Sequence, residues 1–177
     1  KDGDGDDTAG GGDDTAGETD GWPYASAEPA TLSSGECPDM STSGETVSFL
    51  SSDEERTVTT IFPAAPDADT KVIFFFHGLM DSGHGSPSSI FASSFGLQDV
   101  ADELNAIIIL PESNVWELLG FSFYLWDVED GTFDNDVTLY DDLRACVYDQ
   151  FQPNMDKVFS MGFSGGGLFT TIITLSL

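Results

Sequence analysis

Between Lys157 and Leu168 the chain reads Lys-Val-Phe-Ser-Met-Gly-Phe-Ser-Gly-Gly-Gly-Leu, a stretch that few folds can hold. An apolar run, Val158 to Met161, enters Gly162-Phe163-Ser164-Gly165-Gly166, and an apolar segment follows. The spacing predicts a strand, a sharp turn and a helix, with Ser164 at the turn. Gly162 and Gly166 carry no Cβ, so strand and helix can approach closely on either side of the serine. The hydroxyl of Ser164 then stands clear of the sheet, and the first N–H groups of the helix face the same space. Ser164 is therefore the candidate nucleophile. The competing reading is a glycine-rich turn that only packs well.

The preceding sequence supplies the rest of such a sheet. Thr46 to Leu50 and Glu55 to Phe62 read as an antiparallel hairpin at a sheet edge. Val72 to Phe76 and Ala106 to Leu110 are continuous apolar runs, the pattern of parallel strands buried on both faces. Leu97, Val100, Ala101 and Leu104 lie between them at helical spacing, which makes a right-handed βαβ unit. Asp81 to Ser89 reads as a polar loop, with His84 as a surface histidine. Residues 112–133 are rich in aromatic residues without a clear period, and either wall a pocket or fold over the core. Asp134-Asn-Asp136 offers a helix cap before the stripe Val137, Tyr140, Leu143, Val147, Phe151. Leu168 to Leu177 is rich in β-branched residues, so propensity favours a strand there. The glycine–serine turn demands a helix, and tertiary context decides for the helix.

Charge narrows the partners. The 177 residues hold 32 acids against 5 lysines and arginines, a net charge of −27. Nucleic acid and anionic membrane surfaces need a basic footprint and are excluded as expected partners. No apolar run is long enough to span a bilayer. Residues 1–36 carry ten of the acids, and Gly5-Asp-Asp-Thr-Ala-Gly10 recurs as Gly12-Asp-Asp-Thr-Ala-Gly17. That segment is expected to be a disordered acidic linker, with the folded domain running from 37 to 177. Asp2, Asp4, Asp6 and Asp13 are spaced like a calcium loop, but Asp7 occupies the position that needs glycine, so a solvated tail is the better reading. Tails of this composition resemble the spacers of bacterial lipoproteins, which implies a secreted or cell-envelope location and an N-terminal lipid anchor. Cys37 and Cys146 could pair in an exported protein; the alternative is separate thiols. No metal-ligand motif or nucleotide-binding glycine pattern is present, so neither a metal nor a cofactor is expected.

Taken together, the chain resembles the polyhydroxybutyrate depolymerase and feruloyl esterase-like branch of the α/β-hydrolases. The matching residues are the His77-Gly78 loop, Asp134-Asn-Asp-Val137, Met155-Asp-Lys-Val-Phe159 and Gly162-Phe-Ser-Gly-Gly166. The resemblance covers roughly residues 45–177, the N-terminal half of such a catalytic domain. It implies a three-layer α/β sandwich with a mostly parallel sheet, incomplete at its C-terminal side. It also implies an ester substrate, whether a polyester, a feruloyl or acetyl ester, or a small ester. The N–H groups of Leu79 and Gly165 would form the oxyanion hole. His77 and Gly78 would support the loop, and Gly162 and Gly166 the elbow. In this fold the acid and histidine follow the serine, yet the 13 residues after Ser164 contain neither. The 177 residues are therefore expected to be nearly inactive as they stand. Two alternatives are a non-catalytic acidic surface protein with a hydrolase-like core, and a subunit completed by a partner chain.

Overall fold

In the computed structural model of the chain, the structure describes residues 31–128 and 134–176. The acidic repeat and the calcium-like spacing lie outside the described residues, as does the end of the aromatic insertion. The folded part includes residues 31–36, which the sequence reading leaves in the linker. Ser33 is bonded there to the buried Asp142 carboxylate through both its N–H (2.8 Å) and its hydroxyl (2.6 Å).

Strands β1 (Thr46–Ser51) and β2 (Glu54–Ile61) form the hairpin. Its two turn residues, Ser52 and Asp53, both have positive φ (53° and 61°), the backbone twist that suits a tight hairpin. β3 (Lys71–Phe76) and β5 (Ala106–Pro111) are the two apolar runs, and all six residues of β5 are buried. β8 (Val158–Gly162) is the last strand. The five-stranded sheet has the order β1-β2-β5-β3-β8. Its first two pairings are antiparallel, and β5, β3 and β8 are parallel. A three-stranded sheet, β4-β7-β6, is built from β4 (Met80–Asp81), β6 (Val115–Leu118) and β7 (Phe121–Tyr124).

Alternation along β3 and β5 sorts the core into two layers. Val72, Phe74, Phe76, Ile107 and Ile109 join Leu139, Tyr140, Leu143 and Val147 of α3 (Asp134–Phe151) and Phe169 and Ile173 of α4 (Gly165–Ser176). On the other face Ile108 and Leu110 meet Ala101 of α2 (Leu97–Leu104), with Phe75 and Phe91 of α1 (Pro87–Ser94) packed alongside. This is a helix–sheet–helix sandwich. The segment after the elbow is helical despite its β-branched residues, because one side of it, Phe169 and Ile173, is buried against β3.

Helix α1 occupies part of what reads in sequence as a polar loop. Ser86 caps it by accepting from the Ser89 N–H, and Pro87 sits in the first turn. The aromatic insertion divides between the two roles weighed for it. Residues 115–124 form an outward hairpin with Val115, Trp116 and Phe121 exposed, while Trp126 is buried in the main core. At the opposite side, among the described residues, β8 is paired to β3 alone, and one of its faces carries the exposed Phe159 and Met161. Cys37 and Cys146 are joined by a disulfide, which ties the N-terminal segment to α3.

Candidate active site

β8 ends at Gly162, and the ladder reaches one residue further, with the Phe163 N–H bonded to the Phe76 carbonyl (3.1 Å). Ser164 then adopts φ 53°, the left-handed region that costs a side chain energy. Gly166 N–H to Phe163 O (3.0 Å) and Gly167 N–H to Ser164 O (2.9 Å) turn the chain at once into α4. The flanking glycines are dictated by space. A Cβ on Gly162 would lie 2.3 Å from the Gly166 carbonyl oxygen, and one on Gly166 would lie 2.1 Å from Phe76 O and 2.5 Å from His77 O. Gly78 is nearly as confined: its Cβ would meet Phe163 O at 3.1 Å and Ser164 Cβ at 3.2 Å. Strand β3, the loop after it and the elbow therefore touch through bare backbone.

His77 sits beneath this junction and is 2% exposed. Its Nε2 accepts from the Ser113 N–H (3.1 Å). The neutral ring then carries its proton on Nδ1 and donates it to Gly78 O (2.7 Å). Burial holds the imidazole below its ordinary pKa and so keeps it neutral. That arrangement has a consequence one bond further on. The Gly78–Leu79 peptide is trans, so its C=O and N–H point in opposite directions. With the carbonyl held by His77, the Leu79 N–H faces away from the ring. The Leu79 nitrogen is 3.8 Å from the place a Cβ on Gly165 would take, so the two expected oxyanion donors are neighbours. Among the described residues no acceptor pairs with either N–H.

Ser164 is exposed, and among the described residues no imidazole or carboxylate bonds its hydroxyl. His77 cannot act as its base, because both ring nitrogens are engaged by backbone groups. His84 lies on a short 3-10 turn (Ser82–His84), well exposed, 3.4 Å from Asp81. A cleft of about 550 Å³ opens beside the β6–β7 hairpin, lined in part by Glu54, Asn114, Trp116 and Asp127, and it includes no residue of the elbow or the His77 loop. Among the described residues no group of three His, Cys, Asp or Glu could hold a metal ion, and no helix is long and apolar enough to cross a membrane.

Sequence reasoning missed the polar supports around this site. Arg56 is buried and donates to Asp136 (2.5 Å) and to the Glu112 carbonyl (3.1 Å), linking β2 to the start of α3. Asp136 also accepts from the Asp127 N–H (2.8 Å), so it ties down the aromatic insertion as well as the helix. Burial alone would raise the Glu112 carboxyl, but bonds from Ser86, Ser88 and Thr57 outweigh it and hold the group below its ordinary value. Nothing in the sequence pairs Arg56 with Asp136 across 80 residues.

No family model matches the sequence, and no curated protein is significantly similar to it. Solved structures do share the fold. It is similar to an S-formylglutathione hydrolase from Agrobacterium tumefaciens, with TM-score 0.56 and 18% identity over 74% of this chain and 52% of that one. A structure described as native sOPH gives TM-score 0.57 and 16% identity, covering 79% of this chain and 50% of that one. A CE1 ferulic acid esterase from Anaeromyces mucronatus superposes more loosely, at TM-score 0.43 and 19% identity over 78% and 53% of the two chains. The chain shares the fold of the first two of these structures, a mixed sheet between layers of helices. The chain spans about half the length of the solved structures it matches.

Proposed function

We propose that residues 45–177 are the nucleophile-bearing half of a serine-dependent carboxylic ester hydrolase. The observation that carries this reading is Ser164 at φ 53°, set between two glycines that admit no Cβ and beside the unpaired Leu79 N–H. A hydroxyl in that position can attack an ester carbonyl, and the N–H groups of Leu79 and Gly165 would take up the charge on the carbonyl oxygen. The proton of Ser164 needs a base and the base needs an acid to orient it, and polypeptide other than these 177 residues would supply both. Without them we expect little turnover. The polyhydroxybutyrate depolymerase and feruloyl esterase-like branch remains our reading of the sequence, with a polyester, feruloyl, acetyl or small ester as substrate. A lipid-anchored or secreted envelope location belongs to the same proposal, on the strength of the acidic N-terminal composition.

The test exploits the missing base. The 177-residue chain is incubated with a fluorophosphonate probe, with and without imidazole in solution, and the adducted peptide is identified by mass spectrometry. Labelling at Ser164 is expected to be slow alone and to rise with the concentration of free imidazole, because a positioned base contributes about 10²–10⁴ in rate and a dissolved one recovers part of it. Ser164→Ala should abolish the adduct. Absence of any Ser164 adduct at high imidazole would overturn the proposal. It would instead favour a non-catalytic protein with a hydrolase-like core, the second reading, which rests on the absence of a described imidazole at Ser164.

A further inference from the structure

Two consecutive peptide units lead from β3 to Leu79, and each has its carbonyl held by a different side chain. The Gly78 carbonyl is held by His77. The His77 carbonyl accepts from Trp126 Nε1–H at 2.7 Å. Trp126 is 1% exposed and contacts β3, the loop after it and α4. Its ring lies 4.8 Å from the His77 imidazole, meets Phe76 of β3 edge-on at 5.2 Å, and stacks on Phe169 of α4 at 4.9 Å with 9° between the planes. The first turn of α4 presses on the same His77 carbonyl, since a Cβ on Gly166 would lie only 2.5 Å from its oxygen. That oxygen is thus enclosed between the elbow helix and the indole, and the indole N–H is its donor.

We propose that Trp126 is a positioning residue that sets the Leu79 N–H in register with the elbow, holding the His77 peptide through Nε1 and α4 through its stack on Phe169. The inference rests on the reading of Leu79 as an oxyanion donor and deepens it. Loss of the indole N–H leaves a buried carbonyl without a partner. The His77–Gly78 unit then turns to find one, and the Leu79 N–H turns with it. The stack on Phe169 makes the adjustment common to both halves of the site: a shift of α4 is passed to the loop by the same ring.

The test measures amide order parameters by 15N relaxation on the labelled 177-residue chain. In the wild type Leu79 is expected near the rigid value of about 0.85, like the strands, although its N–H has no partner. In Trp126→Phe, which keeps an aromatic ring but removes the donor, Gly78 and Leu79 should fall toward about 0.6 while Ile107 to Ile109 of β5 stay near 0.85. A Leu79 already mobile in the wild type, or unmoved in the variant, overturns the role. A uniform fall across β5 also overturns it, because the residue would then be structural only. Should Trp126→Phe fail to fold, Phe169→Leu decides: Leu79 and Gly165 should loosen together, and an unmoved Leu79 refutes the coupling. The measurement needs no turnover, so it separates from the ester reading. A captured Ser164 with an unresponsive Leu79 removes Trp126 alone, and a responsive Leu79 without capture removes the hydrolase reading alone.

Discussion

Gly166 and Gly167 are adjacent in the first turn of α4, yet alanine should have opposite effects at the two positions. At Gly166 the added Cβ would sit 2.1 Å from Phe76 O and 2.6 Å from Phe76 C, with His77 O at 2.5 Å. All three are backbone atoms of β3 and the loop after it, so no side chain can rotate aside. Bringing the closest contact to a bare 3.0 Å requires the helix and strand to separate by about 1 Å, and Phe169 and Ile173 would lift from the core with the helix. Overpacking of this kind costs about 3 kcal/mol or more where neither side yields. At Gly167 the nearest atom to an added Cβ is Gly162 O at 3.4 Å, an ordinary contact. There alanine gains helix propensity worth about 0.5–1 kcal/mol. Urea unfolding followed by far-ultraviolet circular dichroism should therefore separate the two variants by about 4 kcal/mol, with wild type between them. In thermal melts the Gly166→Ala midpoint should drop by about 6–12 °C. Equal stabilities, or a more stable Gly166→Ala, would refute the close approach between the elbow helix and β3 on which the site depends.

Three further outcomes follow from the same structure. Replacing Ser164 by glycine should stabilise the chain by about 1 kcal/mol relative to Ser164→Ala, because only glycine adopts φ 53° without cost; identical melting points would remove the strain. The Cys37–Cys146 bond closes a loop of 109 residues, so its reduction should cost about 3–5 kcal/mol, and a melt unaffected by dithiothreitol would contradict a structural bond. His77 is held below its ordinary pKa mainly by burial, against the bond to the Gly78 carbonyl and the charges of Glu112 and Asp136, which pull it up, with Arg56 pushing it down. Between the folded pKa and about 6.5 the unfolded chain takes up a proton that the folded one refuses, so the stability contributed by this group is lost as pH falls below about 6.5. The stability advantage of wild type over His77→Asn should therefore narrow by up to about 1.4 kcal/mol per pH unit through that window, and a constant gap between pH 7 and 5 would show that the ring does not stay neutral.

What could be read from sequence was whatever the backbone period or a glycine determines locally. β3 and β5 announce themselves as apolar runs, α2 by its helical spacing, and the elbow by glycines that the packing cannot replace. The end of the chain shows the limit of propensity: Thr170 to Thr174 favours a strand, but burial of Phe169 and Ile173 against the sheet makes it a helix. Helix α1 had a local signal in Ser86-Pro87, a capping residue before a proline, which the surrounding glycines and serines obscured. The β6–β7 hairpin had one too in Gly120, although the leucine beside it also takes positive φ, and the dense aromatics around the turn masked any alternation. The bond from Trp126 to His77, the Arg56–Asp136 pair and the seat of Glu112 had no local signal. Each joins residues 24 to 80 positions apart that only the finished packing brings together.

The exposed face of β8 gives the charge of this molecule a second meaning. Residues 158–177 contain no charged side chain at all, in a chain of net charge −27. Phe159 and Met161 lie on one face of β8, opposite Ile73 and Phe75 of β3, and form an exposed apolar patch with no charge of its own. The safeguard lies elsewhere on the molecule, as mutual repulsion between whole acidic bodies, and such repulsion reaches only about 8–10 Å at ordinary ionic strength. Colloidal behaviour is thereby coupled to the solvent rather than to the fold. Salt, or acidification toward the isoelectric point near 4.1, should therefore promote association of these 177 residues through that apolar face.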